Sequence, residues 1–202
     1  MNGQEGNVLF PIFVKLHEIE TLLVGGGAVG LEKLEAILRN SPEARVTICA
    51  KEILQDEIRA LAREHPTVKI IEKPFKRKYL EGKDLVIMAT DSRKLHEKIK
   101  RMCRKRHILA NVADTPDLCD FYLSSVVKKG DLKIAISSNG KSPTLTKRIK
   151  EYLQEAIPGD VQSTLDQLQE IRSRLKGDFE YKVKELNKVT EAWLGKGDKN
   201  GQ

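Results

Sequence analysis

Ile19–Gly30 reads IETLLVGGGAVG, and this stretch decides the fold. A short apolar run, Ile19–Val24, passes directly into Gly25-Gly26-Gly27-Ala28-Val29-Gly30, a G-x-G-x-x-G string. Leu31, Leu34, Ile37 and Leu38 then recur at helical spacing. Glycine-rich turns are common, so the string alone says little. A strand directly before it and an amphipathic helix directly after it are what the dinucleotide fingerprint requires. In that setting Gly25 permits a tight turn, Gly27 lets the backbone approach a pyrophosphate, and Gly30 lets the helix pack close to the strand. The pyrophosphate would lie at the helix N-terminus, against Ala28 and Val29, where free N–H groups and the helix dipole favour anions. No Lys-Ser or Lys-Thr pair follows the loop, so it is not the phosphate loop of a nucleotide hydrolase.

Outward from this unit, strands and helices alternate. Arg45–Ala50 (RVTICA) reads as a second strand, and Ile53, Ile58, Leu61 and Ala62 mark a second helix. Val68–Ile71, Asp84–Ala89 (DLVIMA) and Ile108–Ala113 (ILANVA) are further apolar strands. Asp91 or Ser92 caps a helix through Leu95 and Ile99. Alternation of this kind predicts an α/β fold, a Rossmann-like doubly wound parallel sheet over residues 1–113. Before it, Val8–Leu16 (VLFPIFVKL) reads as an edge strand, with Pro11 suited to an edge.

The pattern changes after Ala113. Phe121–Val127 and Leu132–Ser137 read as a hairpin turning at Lys128-Lys129-Gly130-Asp131. Ser142 then caps a helix with Pro143 at its first position, ending at Pro158-Gly159. An apolar stripe over Val161, Leu165, Leu168, Ile171 and Leu175 continues through Val183, Leu186, Val189 and Trp193. The expected organisation is therefore a dinucleotide-binding domain at 1–113, a small α+β dimerisation and substrate segment at 114–158, a helical region at 159–195 and a flexible tail at 196–202.

The 202 residues are 40% hydrophobic and 32% charged, a globular balance rather than a disordered one. The net charge of +7 suits an anionic partner or a solubilising surface. Aromatics at 5%, with no concentrated basic recognition helix read in the sequence, speak against nucleic acid. There is no long apolar run and no signal peptide at Met1–Gly6, which points to a cytoplasmic protein without a membrane segment. Cys49, Cys103 and Cys119 lack paired spacing, and His17, His65, His96 and His107 are scattered, so the sequence marks no metal centre.

The fingerprint expects a carboxylate about 20 residues on, at the end of the second strand, to hold the adenosine ribose. Glu52 is the candidate, one position past Lys51 and two past Ala50, where that residue normally stands. Glu52 favours NAD, whereas Lys51 would tolerate the 2′-phosphate of NADP. Glu52 equally fits the first turn of the next helix, where an acid is favourable. Thr90, at the carboxyl end of the fourth strand, would line the cofactor cleft.

A second stretch is more selective. Asn111–Phe121 reads N-V-x-D-x-P-x-L-C-D-F, and Ile136–Pro143 reads I-S-S-x-G-x-S-P. With LFPIFVKL (9–16) and VGGGAVG, these residues resemble the precorrin-2 dehydrogenase family, which includes the N-terminal module of sirohaem synthase. The resemblance runs from about Leu9 to Pro158. It implies NAD-dependent oxidation of precorrin-2 to sirohydrochlorin, with insertion of ferrous or cobaltous ion in some members. It implies a homodimer joined through the middle segment, and Asp114 as the catalytic carboxylate. Read without the resemblance, Asp114 is a turn-forming Asp before Thr115-Pro116. Ser137, Ser138, Asn139, Gly140 and Ser142 form the expected substrate edge, and the nearby Lys141, Lys147 and Arg148 suit a polycarboxylate. Two residues depart from the family pattern: Ser124 stands where Pro is frequent and Asn139 where Gly is frequent. Asn tolerates the left-handed backbone, so the turn at 139 is expected to survive. The competing reading is a non-catalytic NAD-sensing regulatory protein, which has no need of Asp114 or of the Ser137–Pro143 segment.

Overall fold

Strand β1 (Glu20–Val24) is the centre of a five-stranded sheet in which every neighbouring pair is parallel. With β2 (Arg45–Ala50), β3 (Val68–Glu72), β4 (Leu85–Met88) and β5 (Leu109–Val112), the order is β3-β2-β1-β4-β5. The computed structural model describes residues 6–175 and 179–193. The polar tail expected at 196–202 and the first five residues lie outside the described residues.

Period-two alternation splits the apolar strand residues between two cores. Leu23, Val46, Ile48 and Ile87 face α1 (Ala28–Asn40) and α2 (Asp56–Glu64), where Leu34, Ile37, Leu38 and Ile58 meet them. Leu22, Val24, Val86, Met88, Ala110 and Val112 face α3 (Arg93–Arg104), where Ile99 and Cys103 meet them. A sheet covered on both faces explains why these strands read as continuous apolar runs. Burial pushes the Cys49 and Cys103 thiols up to about 11, so both behave as small apolar side chains.

One β1 residue departs from this pattern. Thr21 is 0% exposed, and its hydroxyl has no hydrogen-bond partner among the described residues. Thr21→Val keeps the shape and removes the stranded group. It is expected to raise stability by about 1 kcal/mol and Tm by roughly 2–4 °C in a thermal melt. An unchanged or lower Tm would show that the hydroxyl is satisfied.

Val8–Leu16 forms no strand. Residues 7–15 carry no ladder pairing, and Phe10 and Phe13 are 86% and 69% exposed. Pro11 lacks a donor, and the outer edge of β5 is already taken. Asp120 N donates to Ala110 O (2.7 Å), Ala110 N donates to the Asp120 carboxylate (2.9 Å), and Val112 N donates to Cys119 Sγ (3.2 Å). The same bonds draw 114–124 to the sheet, although the boundary was expected after Ala113. The chain divides into one compact unit of residues 1–124 with 137–142 and another of residues 125–136 with 143–202.

In the second unit, β6 (Ser125–Lys129) and β7 (Leu132–Ile136) form an antiparallel hairpin. Its first strand starts at Ser125, not at the expected Phe121, because Phe121 is drawn to the first unit's core and Asn111 Nδ2 donates to its carbonyl (2.8 Å). Gly130 supplies a positive φ of 58° at the turn, and Gln162 clamps Asp131 through its backbone N–H (2.7 Å) and its carboxylate (3.0 Å). Helices α4 (Pro143–Ala156), α5 (Val161–Arg174) and α6 (Phe179–Trp193) follow. Helix α4 begins at Pro143 as expected. The Thr146 hydroxyl on α4 is buried, donates to Pro143 O (2.8 Å), and accepts from Ser125 Oγ (3.3 Å).

Helix α3 is more basic than the sequence reading allowed: Arg93, Lys94, Lys98, Lys100, Arg101 and Arg104 stand among its 12 residues. Arg93 pairs with Glu97 and Asp117, and Lys100 with Asp120, so part of this charge ties the helix to the segment after β5.

Candidate active site

The β1–α1 loop is a close-packed cradle. Gly25 N donates to Cys49 O (3.0 Å), and Leu54 N donates to Gly26 O (2.8 Å), which seats the segment after β2 against the loop. Gly25 has φ +135, and a Cβ there would lie 2.1 Å from Ala89 O. A Cβ on Gly30 would lie 2.5 Å from Gly25 O. These two glycines are required by the chain's own packing. Gly27 differs: nothing lies within 4 Å of a Cβ placed on it, and its backbone is extended (φ −94, ψ −167). Its openness faces the start of α1, where Ala28 and Val29 present free N–H groups. The geometry fits a dinucleotide pyrophosphate, which needs backbone approach at that point.

Lys51 and Glu52 are exposed in a bend between β2 and α2. Helix α2 begins at Asp56, so Glu52 does not belong to its first turn, and Ile53, expected on that helix, also precedes it. The segment is held by Glu72, a residue not anticipated. Its carboxylate accepts from Ile53 N (3.0 Å) and from Arg59 at 2.7 and 2.8 Å. The Arg59 guanidinium, then the Ile53 N–H, hold the Glu72 carboxyl below the usual carboxylate range. The signal available in the sequence was a carboxylate at the carboxyl end of β3, level with Ala50 in the register.

Thr90 and Asp114 follow β4 and β5, and Met88 pairs with both Val24 and Val112. The glycine loop, Thr90 and Asp114 therefore leave the carboxyl ends of three adjacent strands, where open α/β sheets bind ligands. Ser92, not Asp91, caps α3 by accepting from Leu95 N (3.3 Å). Thr90 Oγ1 lies 2.8 Å from Nε2 of His96, which is 4% exposed.

Asp114 is exposed and sits at φ +54, the left-handed region. It occupies the turn closed by Thr115 N donating to Val112 O (3.4 Å) and Thr115 Oγ1 donating to Ala113 O (3.2 Å). Its carboxylate takes no hydrogen bond or ion pair from the described residues. Cys119 stabilises this turn. Burial raises its pKa, so it stays a thiol that accepts from Val112 N and donates toward Val112 O (3.3 Å) or Thr115 O (3.5 Å).

The segment Ser137–Ser142 belongs to the same unit. Ser137 Oγ accepts from Asn139 N (3.2 Å) and from Asn7 Nδ2 (3.3 Å), while Ser138 Oγ accepts from Ser142 N (3.1 Å). These bonds join the segment to Asn7, and none joins it to the strand ends. Asn139 and Gly140 take φ +54 and +75 in succession, so Asn adopts the conformation that Gly is freest to take. Among the described residues no three His, Cys, Asp or Glu side chains gather to hold a metal ion. None of the described helices is long and apolar enough to cross a membrane.

A family model described as putative NAD(P)-binding matches residues 12–125, and one described as sirohaem biosynthesis protein central matches residues 129–156. A siroheme synthase of Psychrobacter sp. (strain PRwf-1) is 38% identical over 149 residues, 74% of this chain and 30% of the relative. A siroheme synthase of Psychromonas ingrahamii is 35% identical over 179 residues, 89% of this chain and 35% of the relative. The chain thus spans about a third of the length of the curated relatives it matches. A solved structure titled SirC, precorrin-2 dehydrogenase, superposes with a TM-score of 0.69 at 22% identity, over 90% of this chain and 89% of that one. At that identity the likeness speaks for the fold.

Proposed function

The chain belongs to the putative NAD(P)-binding family, joined here to a sirohaem biosynthesis central segment, and we propose that it oxidises precorrin-2 to sirohydrochlorin with NAD as the hydride acceptor. The observation that carries the proposal is that an open phosphate cradle at Gly27 and a carboxylate at Asp114, unpaired among the described residues, leave the same end of one sheet, after β1 and β5 with β4 between them. Oxidation of the macrocycle removes a hydride and a proton. The bound dinucleotide supplies the acceptor for the hydride. Asp114 accepts the proton from the substrate, because its oxygens are exposed and free of partners among the described residues. Glu52 binds the adenosine ribose hydroxyls, and Ser137–Ser142 orient the substrate's carboxylates through hydroxyl and backbone N–H groups.

The test mixes purified protein with precorrin-2 and either NAD or NADP and follows the absorbance of the reduced dinucleotide. Reduction of NAD at a higher kcat/KM than NADP is expected, because Glu52 stands at the ribose. No hydride transfer with either dinucleotide overturns the proposal. Tight NAD binding without transfer would favour the sensing role instead. Metal insertion, if Asp114 also serves it, is read in the same preparation by adding ferrous or cobaltous ion to sirohydrochlorin and following the metallated spectrum. A homodimer joined through the middle segment accords with the exposure of Leu145, Ile149 and Tyr152 there.

A further inference from the structure

The apolar stripe of α3 carries one residue that its packing role does not explain. His96 lies among the buried residues of that helix, beside Ile99 and Cys103, yet it is an imidazole rather than an aliphatic side chain. Its Nε2 is 2.8 Å from Thr90 Oγ1. His96 thus meets the side chain of the residue just past the end of β4. Thr90 itself is only half-buried and stands where the strand opens.

The Rossmann arrangement fixes which part of a dinucleotide Thr90 would meet. The pyrophosphate lies over the β1–α1 loop and the adenosine lies toward β2. Strand β4 is on the opposite side of β1 from β2, so its end faces the other nucleotide, the half that carries the reactive ring. A hydroxyl there serves only if its rotor is set, because it can point either a proton or its lone pairs outward. An imidazole nitrogen that donates to Thr90 turns the hydroxyl proton toward the cleft, and one that accepts turns the lone pairs there. In both cases the hydroxyl has one orientation before any ligand arrives.

We propose that His96 is a positioning residue for the cofactor: it fixes the Thr90 hydroxyl in the orientation that binds the reactive-ring half of the dinucleotide. The proposal rests on the NAD-binding reading above. Burial keeps the His96 imidazole below its ordinary pKa, against the opposing pull of Asp91, which is consistent with a neutral ring at neutral pH.

The test uses the full chain with His96→Leu, His96→Gln, Thr90→Val and the double variant Thr90→Val/His96→Leu. Kd for NAD is measured by titration, and KM and kcat by hydride transfer. Loss of one oriented hydrogen bond predicts that Kd and KM for NAD rise about five- to tenfold in His96→Leu, with kcat at saturating NAD little changed. The Gln amide reaches about as far as the ring Nε2, so His96→Gln is expected to recover most of the affinity. The double variant is expected to bind NAD no worse than Thr90→Val alone, because both changes remove the same contact. Full additivity in the double variant, or unchanged NAD affinity in His96→Leu while Thr90→Val weakens it, overturns the proposal. If His96→Leu fails to fold, a His96→Gln protein with tenfold weaker NAD binding and normal Tm overturns the stated rescue and with it the proposal. Wild-type protein that binds neither NAD nor NADP sinks the cofactor reading itself, which is a separate result.

Discussion

Asp114→Asn lowers turnover of precorrin-2 by about 10²–10⁴-fold, the usual contribution of a positioned general base, while Kd for NAD and Tm stay near wild type. The choice of Asn follows from the backbone. Asp114 sits at φ +54, where Asn is as comfortable as Asp but Ala is strained by roughly 1–2 kcal/mol. Asp114→Ala would therefore change the turn and the charge together. Asn keeps the shape, the turn and the hydrogen-bonding reach, and removes only the ability to take a proton. The strap of Asn111, Cys119 and Asp120 along β5 keeps the turn in place in either case. Comparing single-turnover hydride transfer with NAD titration separates chemistry from binding. Turnover within threefold of wild type would remove Asp114 from the chemistry and leave it as a turn residue, the reading its place before Thr115-Pro116 first allowed.

The three glycines of the fingerprint are expected to answer to alanine in opposite ways. Gly25→Ala puts a Cβ 2.1 Å from Ala89 O at φ +135 and cannot be accommodated without moving β4. Its expected cost is at least about 3 kcal/mol, enough to lower Tm sharply or abolish folding. Gly30→Ala presses on Gly25 O at 2.5 Å and should follow the same course more mildly. Gly27→Ala meets no protein atom and needs no unusual φ, so Tm should be unchanged or slightly raised. Its methyl group would occupy the space the pyrophosphate needs. NAD affinity should fall at least about tenfold, or 1.4 kcal/mol. Melting curves with and without NAD read both quantities. A Gly27→Ala protein that NAD stabilises as well as it does the wild type would refute the cradle.

Much of the architecture was readable in the chain because it depends on local pattern. Apolar strand, glycine turn and helical periodicity stand next to one another between Ile19 and Leu38, and the unit they predict is the one that forms. The same holds for β2 to β5 and for the start of α4 at Pro143. The left-handed turn at Asn139 was also legible, since the demand on φ belongs to that residue alone.

Where local pattern competes with partners distant in sequence, it misleads. Val8–Leu16 has the composition of a strand, but Asp120, Cys119 and Phe121 already occupy the β5 edge. No property of residues 8–16 announces that. Ile53 and Glu52 suggested a helix start, yet Glu72, brought alongside by the β2–β3 register, pins that segment as a loop. His96 is hidden in an apolar stripe until α3 turns it toward Thr90.

The sequence by itself determined that a dinucleotide-type β-α-β unit is present with Gly25 to Gly30 as its phosphate-binding candidates, while Asp114 became a candidate through the family resemblance. Only the tertiary structure decided that Gly27 is open while Gly25 and Gly30 are packed shut, and that Asp114 is held left-handed and unpaired at the strand end beside Thr90. The reason is physical: backbone periodicity is a property of neighbours along the chain, whereas free space and the partners of a lone polar group are set by atoms that folding brings from elsewhere.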